Sequence, residues 1–272
     1  MDFTLSIYKK LLTTLKRQNY QFLTVKEYIS PPVSPSHSNI VSKSKSHPLI
    51  IMRHDVDRTP HNALQMARVE YELSIKSSYY FRILSCSYNE KIISEIAELE
   101  HEIGYHYENM DTCHGDIDKA WDDFRRNLEK LRKLCSVKTI CMHGSPLSKY
   151  DNRDLWNKYD YRSEGIIGEP YLDVNWDEVF YLTDTGRKWD GGGVSIRDKV
   201  QSLKFKVQNK WPKYHSSKNI IMAIENGSFP KKAMITTHPQ RWNNNPILWT
   251  KELVFQNAKN VVKKALVLQS GK

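Results

Sequence analysis

A chain of 272 residues, 39% hydrophobic, can bury a substantial core, as one large α/β domain or two small ones. Its 41 Lys+Arg against 31 Asp+Glu give a net charge of +10, which raises nucleic acid, anionic lipid or a phosphorylated substrate as partners. The basic residues are dispersed and no zinc-finger, RNP-type or helix-turn-helix signature accompanies them, so no nucleic-acid partner is expected.

Cys86, Cys113, Cys135 and Cys141 form no CxxC pair, which argues against a zinc ribbon or disulfide framework and suits a reducing compartment. No apolar run approaches the ~18 residues of a membrane span. Met1-Asp2-Phe3 lacks the basic start of a secretory signal. The expectation is a cytoplasmic protein with no membrane span.

Residues 3–17 place Phe3, Leu5, Ile7, Leu11, Leu12 and Leu15 among lysines, a helical pattern. The Pro/Ser-rich stretch from Ser30 to Ser46 reads as an irregular loop. Residues 1–48 are therefore expected as a helical appendage and loop packed on a domain spanning 49–272.

From Leu49 the rhythm becomes strand, loop, helix, repeated. Strands are expected at 49–53, 77–83, 102–106, 137–142, 161–167, 178–183 and 233–237. Helices are expected at 60–73, 89–99, 116–134, 150–157, 219–226 and 250–266. Alternation at this spacing means parallel strands joined by right-handed crossovers, and about seven strands suggests a closed or nearly closed barrel. Residues 185–218, with Asp190-Gly191-Gly192-Gly193 and the aromatic breaks Phe205, Trp211 and Tyr214, show no clear period.

Chemistry in such folds sits at the carboxyl ends of the strands. The first strand, Leu49-Ile50-Ile51-Met52, runs into Arg53-His54-Asp55-Val56-Asp57. The third ends in His106-Tyr107-Glu108, the fourth in His143, the sixth in Asp184-Thr185-Gly186-Arg187 and the last in His238-Pro239-Gln240-Arg241-Trp242. Asp55 and Asp57 share parity, so an extended backbone points both the same way. Like charges that close need a cation between them or a raised pKa. Arg53 and Arg58 can neutralise the pair in a purely structural arrangement. The histidines at the other ends favour chemistry.

A catalytic metal needs about three protein ligands and an open position. Asp57, His106 and one more histidine supply N and O donors suited to zinc or another divalent first-row ion. Asp55 is then the candidate general base, His238 the candidate general acid, and Asp184 the group that orients His238. Arg53, Tyr107, Arg187, Arg241 and Trp242 flank these ends and are the candidates for substrate contact.

Three segments, Arg-His-Asp-Val-Asp (53–57), Glu-His-Glu-Ile-Gly-Tyr-His-Tyr-Glu (100–108) and Ile-Thr-Thr-His-Pro (235–239), occur in the order seen in polysaccharide deacetylases of carbohydrate esterase family 4, the NodB-homology group. The sequence resembles that family over residues 49–265. It looks most like deacetylases of bacterial O-antigen and capsule gene clusters, through Met-His-Gly-Ser-Pro (142–146) and His-Pro-Gln-Arg-Trp (238–242). The resemblance implies a distorted (β/α)7 barrel and metal-dependent hydrolysis of an N- or O-acetyl group from a sugar, a carbon–nitrogen hydrolase in the N-acetyl case. It gives Asp55 as base, Asp57 and His106 as ligands, and His238 as acid. The family's second metal histidine falls on Met110, a thioether and a weak ligand for such ions. His143 is therefore expected to replace it, with Glu108 as the alternative ligand and Arg53 or another cation steadying Asp55. The expected substrate is an acetylated, nucleotide- or lipid-linked sugar of surface-polysaccharide synthesis. An inactive carbohydrate-binding or regulatory barrel, and a metal hydrolase of another amide, are the competing readings.

Overall fold

The computed structural model of the protein describes residues 1–30, 47–144, 148–189 and 212–270, with side chains to 261. The Ser30–Ser46 loop beyond Ser30, Ser145-Pro146 and most of 185–218 lie outside the described residues.

The elements are α1 (Leu5–Arg17), β1 (Gln21–Leu23), α2 (Val25–Ile29), β2 (Leu49–Val56), α3 (Pro60–Glu72), β3 (Ser78–Phe81), α4 (Glu90–Glu98), β4 (Glu102–Tyr107), α5 (Asn109–Thr112), α6 (Ile117–Arg132), β5 (Val137–Met142), α7 (Pro170–Asp173), β6 (Phe180–Thr183), α8 (Ser217–Glu225), β7 (Lys232–Thr237) and α9 (Pro246–Ser270). Every strand pairing is parallel, as the strand–helix alternation predicts. The strand order is β5-β4-β3-β2-β7-β6, with β1 beside the start of β2 (Gln21 opposite Leu49). Among the described residues no pairing joins β5 to β6, so the sheet is an α/β wrap that is not closed by hydrogen bonds.

One expected strand is absent. Residues 161–167 form a 3-10 turn over Tyr161–Glu164, because Asp160 caps the nitrogen of Arg162 and Gly165 takes a left-handed φ of 70°. Only a single bridge, Thr139 to Gly168, brings this stretch alongside β5. Residues 150–157 are likewise a 3-10 helix, Asn152–Asn157.

Local chemistry sets the helices. Asp116 accepts from the nitrogen of Lys119 at the start of α6, and Lys130 and Arg132 sit in its last turn, where the helix dipole favours cations. Ala120, Phe124, Leu128 and Leu131 are its buried face. Alternation along β2 divides the interior. Ile50 and Met52 face helices together with Leu11, Leu12 and Leu15 of α1, Ile220 of α8 and Ile235 of β7. Ile51 faces a second layer with Tyr80, Cys141, Tyr181 and Met234, the inward residues of β3, β5, β6 and β7. Gly104 on β4 leaves room there for Tyr80, whose ring would lie 2.3 Å from an added Cβ. Following the inward parity along β2 leads from Ile51 through Arg53 to Asp55.

The N-terminal segment is stitched to the far end of the chain. The carboxylate of Asp2 accepts from the nitrogen of Ser217 (3.0 Å) and its carbonyl from Trp249 Nε1 (2.7 Å); the Phe3 carbonyl accepts from the nitrogen of Asn243 (3.2 Å).

Candidate metal centre and acid–base pairs

The inward columns of β2, β4, β5 and β7 end in Asp55, His106, His143 and His238, with Asp57 just beyond β2. His106 Nδ1 lies 2.9 Å from the carbonyl of Cys141. A carbonyl only accepts, so this nitrogen carries a hydrogen and Nε2 is the one turned to the site, the orientation a metal-ligating histidine takes. That Nε2 faces Asp57 Oδ1 at 3.5 Å and Asp55 Oδ2 at 3.9 Å. His143 Nε2 faces the same Asp57 Oδ1 at 3.6 Å, and its Nδ1 lies 3.1 Å from Glu108 Oε2.

Asp57 Oδ1 is buried and has no hydrogen-bond partner, although two imidazoles point at it. Its other oxygen accepts from Gln240 Nε2 at 3.0 Å. Burial alone would raise its pKa, but His106, His238 and His143 outweigh that and hold it well below the usual carboxylate range. An orphaned anionic oxygen with two nitrogens converging at these distances fits a divalent cation held by two imidazoles and a carboxylate. A second buried donor group, Asp55, His106 and Cys141, has its ligand atoms within 4.8 Å of one another. Its carboxylate is already committed to Arg53, and burial pushes the Cys141 thiol well up, away from thiolate. The Asp57, His106 and His143 set instead leaves one carboxylate oxygen facing two imidazole nitrogens, though its three ligand atoms are spread wider than 4.8 Å.

Asp55 accepts both hydrogen bonds of a bidentate pair with Arg53, 2.7 Å from Nε and 2.6 Å from Nη2. Burial would raise its pKa, yet Arg53 and His106 bring it below its ordinary value and keep it ionised. Glu108 has both oxygens taken by Arg82 (2.8 and 2.6 Å), and one also faces His143. With both oxygens on Arg82, Glu108 is poorly placed for its expected part as an alternative ligand; it lies in ion-pair range of the far nitrogen of His143, which makes no hydrogen bond. The Glu108 pKa is held to about 2, where burial is outweighed by His143 and Arg82. Met110 packs into the apolar cluster of Phe124 and Leu128, away from these donors.

His238 Nδ1 lies 2.6 Å from Asp184 Oδ1, and its backbone nitrogen donates to Asp184 Oδ2 at 3.0 Å. Arg241 Nη1 donates to Asp184 Oδ1 (2.6 Å) and Trp242 Nε1 to Oδ2 (2.7 Å). Burial pushes the Asp184 pKa upward, but Arg241 and His238 prevail and hold it to about 2.

Of the residues expected to contact substrate, Arg53, Tyr107 and Trp242 are enclosed in the fold. Arg53 is fully buried, its guanidinium 5.1 Å from the Tyr171 ring centroid, so it holds Asp55 and cannot meet a ligand. Tyr107 is fully buried and accepts from Trp156 Nε1. Trp242 is fully buried against Phe3 and Tyr8. Arg241 donates through Nη1 to Asp184 and Arg187 stacks over Phe3 and Trp249 while donating through Nη1 to the Arg241 carbonyl, but Arg241 Nε and Arg187 Nε and Nη2 are buried without a hydrogen-bond partner. At the two ends of the 185–218 stretch, Trp189 and Tyr214 are core residues too. Sequence reasoning missed Arg82 and Gln240. Arg82 follows an apolar run, Tyr79-Tyr80-Phe81, as Asp57 follows β2, and that was its only signal.

No family model matches the sequence, and no curated protein matches it. Among solved structures the chain is similar to a CE4 family pseudoenzyme from Bacillus anthracis, with 10% identity and a TM-score of 0.43 over 80% of this chain and 63% of that one. It is similar to a mutant of that pseudoenzyme with restored enzymatic activity (8%, 0.43, 80% and 65%). PdaA of Bacillus subtilis, a family 4 carbohydrate esterase, shows 10% identity and a TM-score of 0.40 over 92% of this chain and 84% of that one. The chain thus spans just under two thirds of the length of the pseudoenzyme structures. These likenesses are faint, and the chemistry has to be argued from the side chains.

Proposed function

We propose that the protein is a metal-dependent deacetylase that hydrolyses the acetyl group of an acetylated sugar, nucleotide- or lipid-linked, in surface-polysaccharide synthesis. The observation that carries this is the bare, buried Asp57 Oδ1 faced by His106 and His143. A divalent ion, zinc by the donor set, held by Asp57, His106 and His143 would supply Lewis acidity toward a carbonyl oxygen and a lowered pKa for water. Asp55, ionised and fixed in orientation by Arg53, accepts the proton of the attacking water. His238 Nε2 is placed to hand a proton to the departing nitrogen or oxygen, with Asp184 holding the ring through Nδ1. The charge of +10 suits a phosphorylated carrier on the substrate.

The test is acetate release from a panel of acetylated nucleotide sugars and lipid-linked glycans. Wild type should release acetate from at least one of them, and Asp55→Ala should lose roughly 10²–10⁴-fold in kcat with its metal retained. No release from any of them by metal-loaded wild type would leave instead a barrel that binds glycans without turnover.

A further inference from the structure

Helix α9 is mounted inside out. The face it lays on the domain is largely polar: Glu252 pairs with Arg58 (2.8 Å), buried Gln256 donates to Asn260 (2.9 Å), and Asn260 donates to the carbonyl of Gly186 (3.0 Å). Its outward face carries Ile247, Val254 and Val261, 78%, 64% and 68% exposed and seven residues apart, with Leu248 and Phe255 beside them. These five are half of the ten large hydrophobic side chains exposed among the described residues. A soluble helix ordinarily turns such a stripe inward.

We propose that this face docks the protein on an anionic lipid surface. Exposed Lys251 and Lys259 lie beside these apolar residues, in a chain of net charge +10, so the face can meet anionic headgroups as well as acyl chains. A second copy of the chain fits less well. A helix–helix seam needs apolar residues at alternating three- and four-residue steps; the steps after Ile247 meet Thr250 and Lys251, and those after Val254 meet Asn257 and the small Ala258, so the seam is broken by a lysine and little filled between the valines. A symmetric pair would also bring the lysines of two cationic chains together. No helix among the described residues is long and apolar enough to cross a membrane, so the contact is peripheral.

The position of α9 gives docking a use. Its partner Arg58 directly follows Asp57, and Gly186 and Arg187 come two and three residues after Asp184, so docking sets the strand ends beside the lipid. That favours a lipid-linked acetylated sugar over a free one, a step that rests on the deacetylase reading; the docking itself does not.

The experiment is co-sedimentation of the full chain with phosphatidylcholine vesicles and with vesicles half phosphatidylglycerol, alongside light scattering of the protein alone. Wild type should be monomeric and bind the anionic vesicles, less so as salt rises. Val254→Asp with Val261→Asp should weaken binding at least about tenfold at unchanged Tm. Lys251→Gln and Lys259→Gln should each cost roughly fivefold, on anionic vesicles only. Absence of vesicle binding, or a dimer that the Val→Asp pair dissociates, overturns the proposal. Acetate release from a water-soluble acetylated sugar, measured in parallel, should be unaffected by the Val→Asp pair; vesicle binding without any deacetylation would leave docking standing and remove the reading of the site.

Discussion

Two buried histidine–carboxylate pairs occupy opposite faces of the same sheet. His238 and Asp184 meet at 2.6 Å where the inward column ends. His54 and Glu70 meet at 2.8 Å on the helix-facing side of β2. By distance and burial of the carboxylate they are nearly alike, yet every polar atom of the second pair is used within the core. His54 Nδ1 meets Thr237 Oγ1 at 2.6 Å, and Glu70 accepts from Tyr79 Oη at 2.6 Å and from Tyr8 Oη. His238 is 13% exposed at its side chain, with Nε2 left over for a ligand. A histidine paired with an acid is therefore no mark of catalysis by itself; the unspent nitrogen is. Since His54 and Asp55 are neighbours, one step of strand parity separates a structural network from a reactive one.

Substitution should split the two pairs. Asp184→Asn is expected to lower kcat for acetate release by roughly 10²–10⁴-fold in the folded enzyme. Glu70→Ala leaves His54 and two tyrosine hydroxyls unpaired in the core and should cost about 3–5 kcal/mol of stability in a denaturant titration, with kcat of the folded fraction within a few-fold of wild type. Equal loss of kcat in both variants would collapse the distinction.

Acid sharpens it further. Burial would raise the Glu70 pKa, but His54 and His101 hold it to about 2, below its value of 4.5 in an unfolded chain. A depressed folded pKa gives stability that is complete above pH 4.5 and lost as pH falls through 2, here roughly 3 kcal/mol. Wild type should therefore show a steeper loss of stability over that window than Glu70→Ala; parallel curves would refute the assignment.

The smallest expected effect concerns the supports of the cation position. His143→Ala should remove most bound metal, measured by elemental analysis after dialysis. Glu108→Gln should weaken affinity only about 10–100-fold, as loss of an outer partner does. Unchanged stoichiometry in His143→Ala would exclude it as a ligand.

The parallel α/β scaffold was legible because buried strands read as apolar runs and break into charge where the chain leaves the sheet. Asp55, Asp57, His106, His143 and His238 all stand at such breaks. The 161–167 strand was misread because Tyr161 and Ile166-Ile167 look like a strand, while Asp160 and Gly165 decide the backbone. Strand β1 is only Gln21-Phe22-Leu23, too short for a period to show. The enclosed arginine and tryptophan were not legible as such for another reason. Arginine and tryptophan near a site look the same in sequence whether they face a ligand or brace its walls. Arg53 and Trp242 brace; the ion pair and the indole hydrogen bond that show this join them to residues fixed only by the folded chain.

The ties between Asp2 or Phe3 and residues 217–249 carry a consequence in time. Asp2 and Ser217 are 215 positions apart. On a ribosome adding about 5–20 residues per second, the first helix is made roughly ten to forty seconds before its partner in α8 exists. Its leucines must wait in water or in provisional contacts, so the wall behind Asp184, which Phe3 and Trp242 build together, is among the last parts completed. Hydrogen exchange on arrested nascent chains should find the amides of residues 5–17 unprotected until α8 has been made, while those of β3 and β4 are protected earlier; protection of the helix in a chain ending before Ser217 would show that it finds its place without the chain's end.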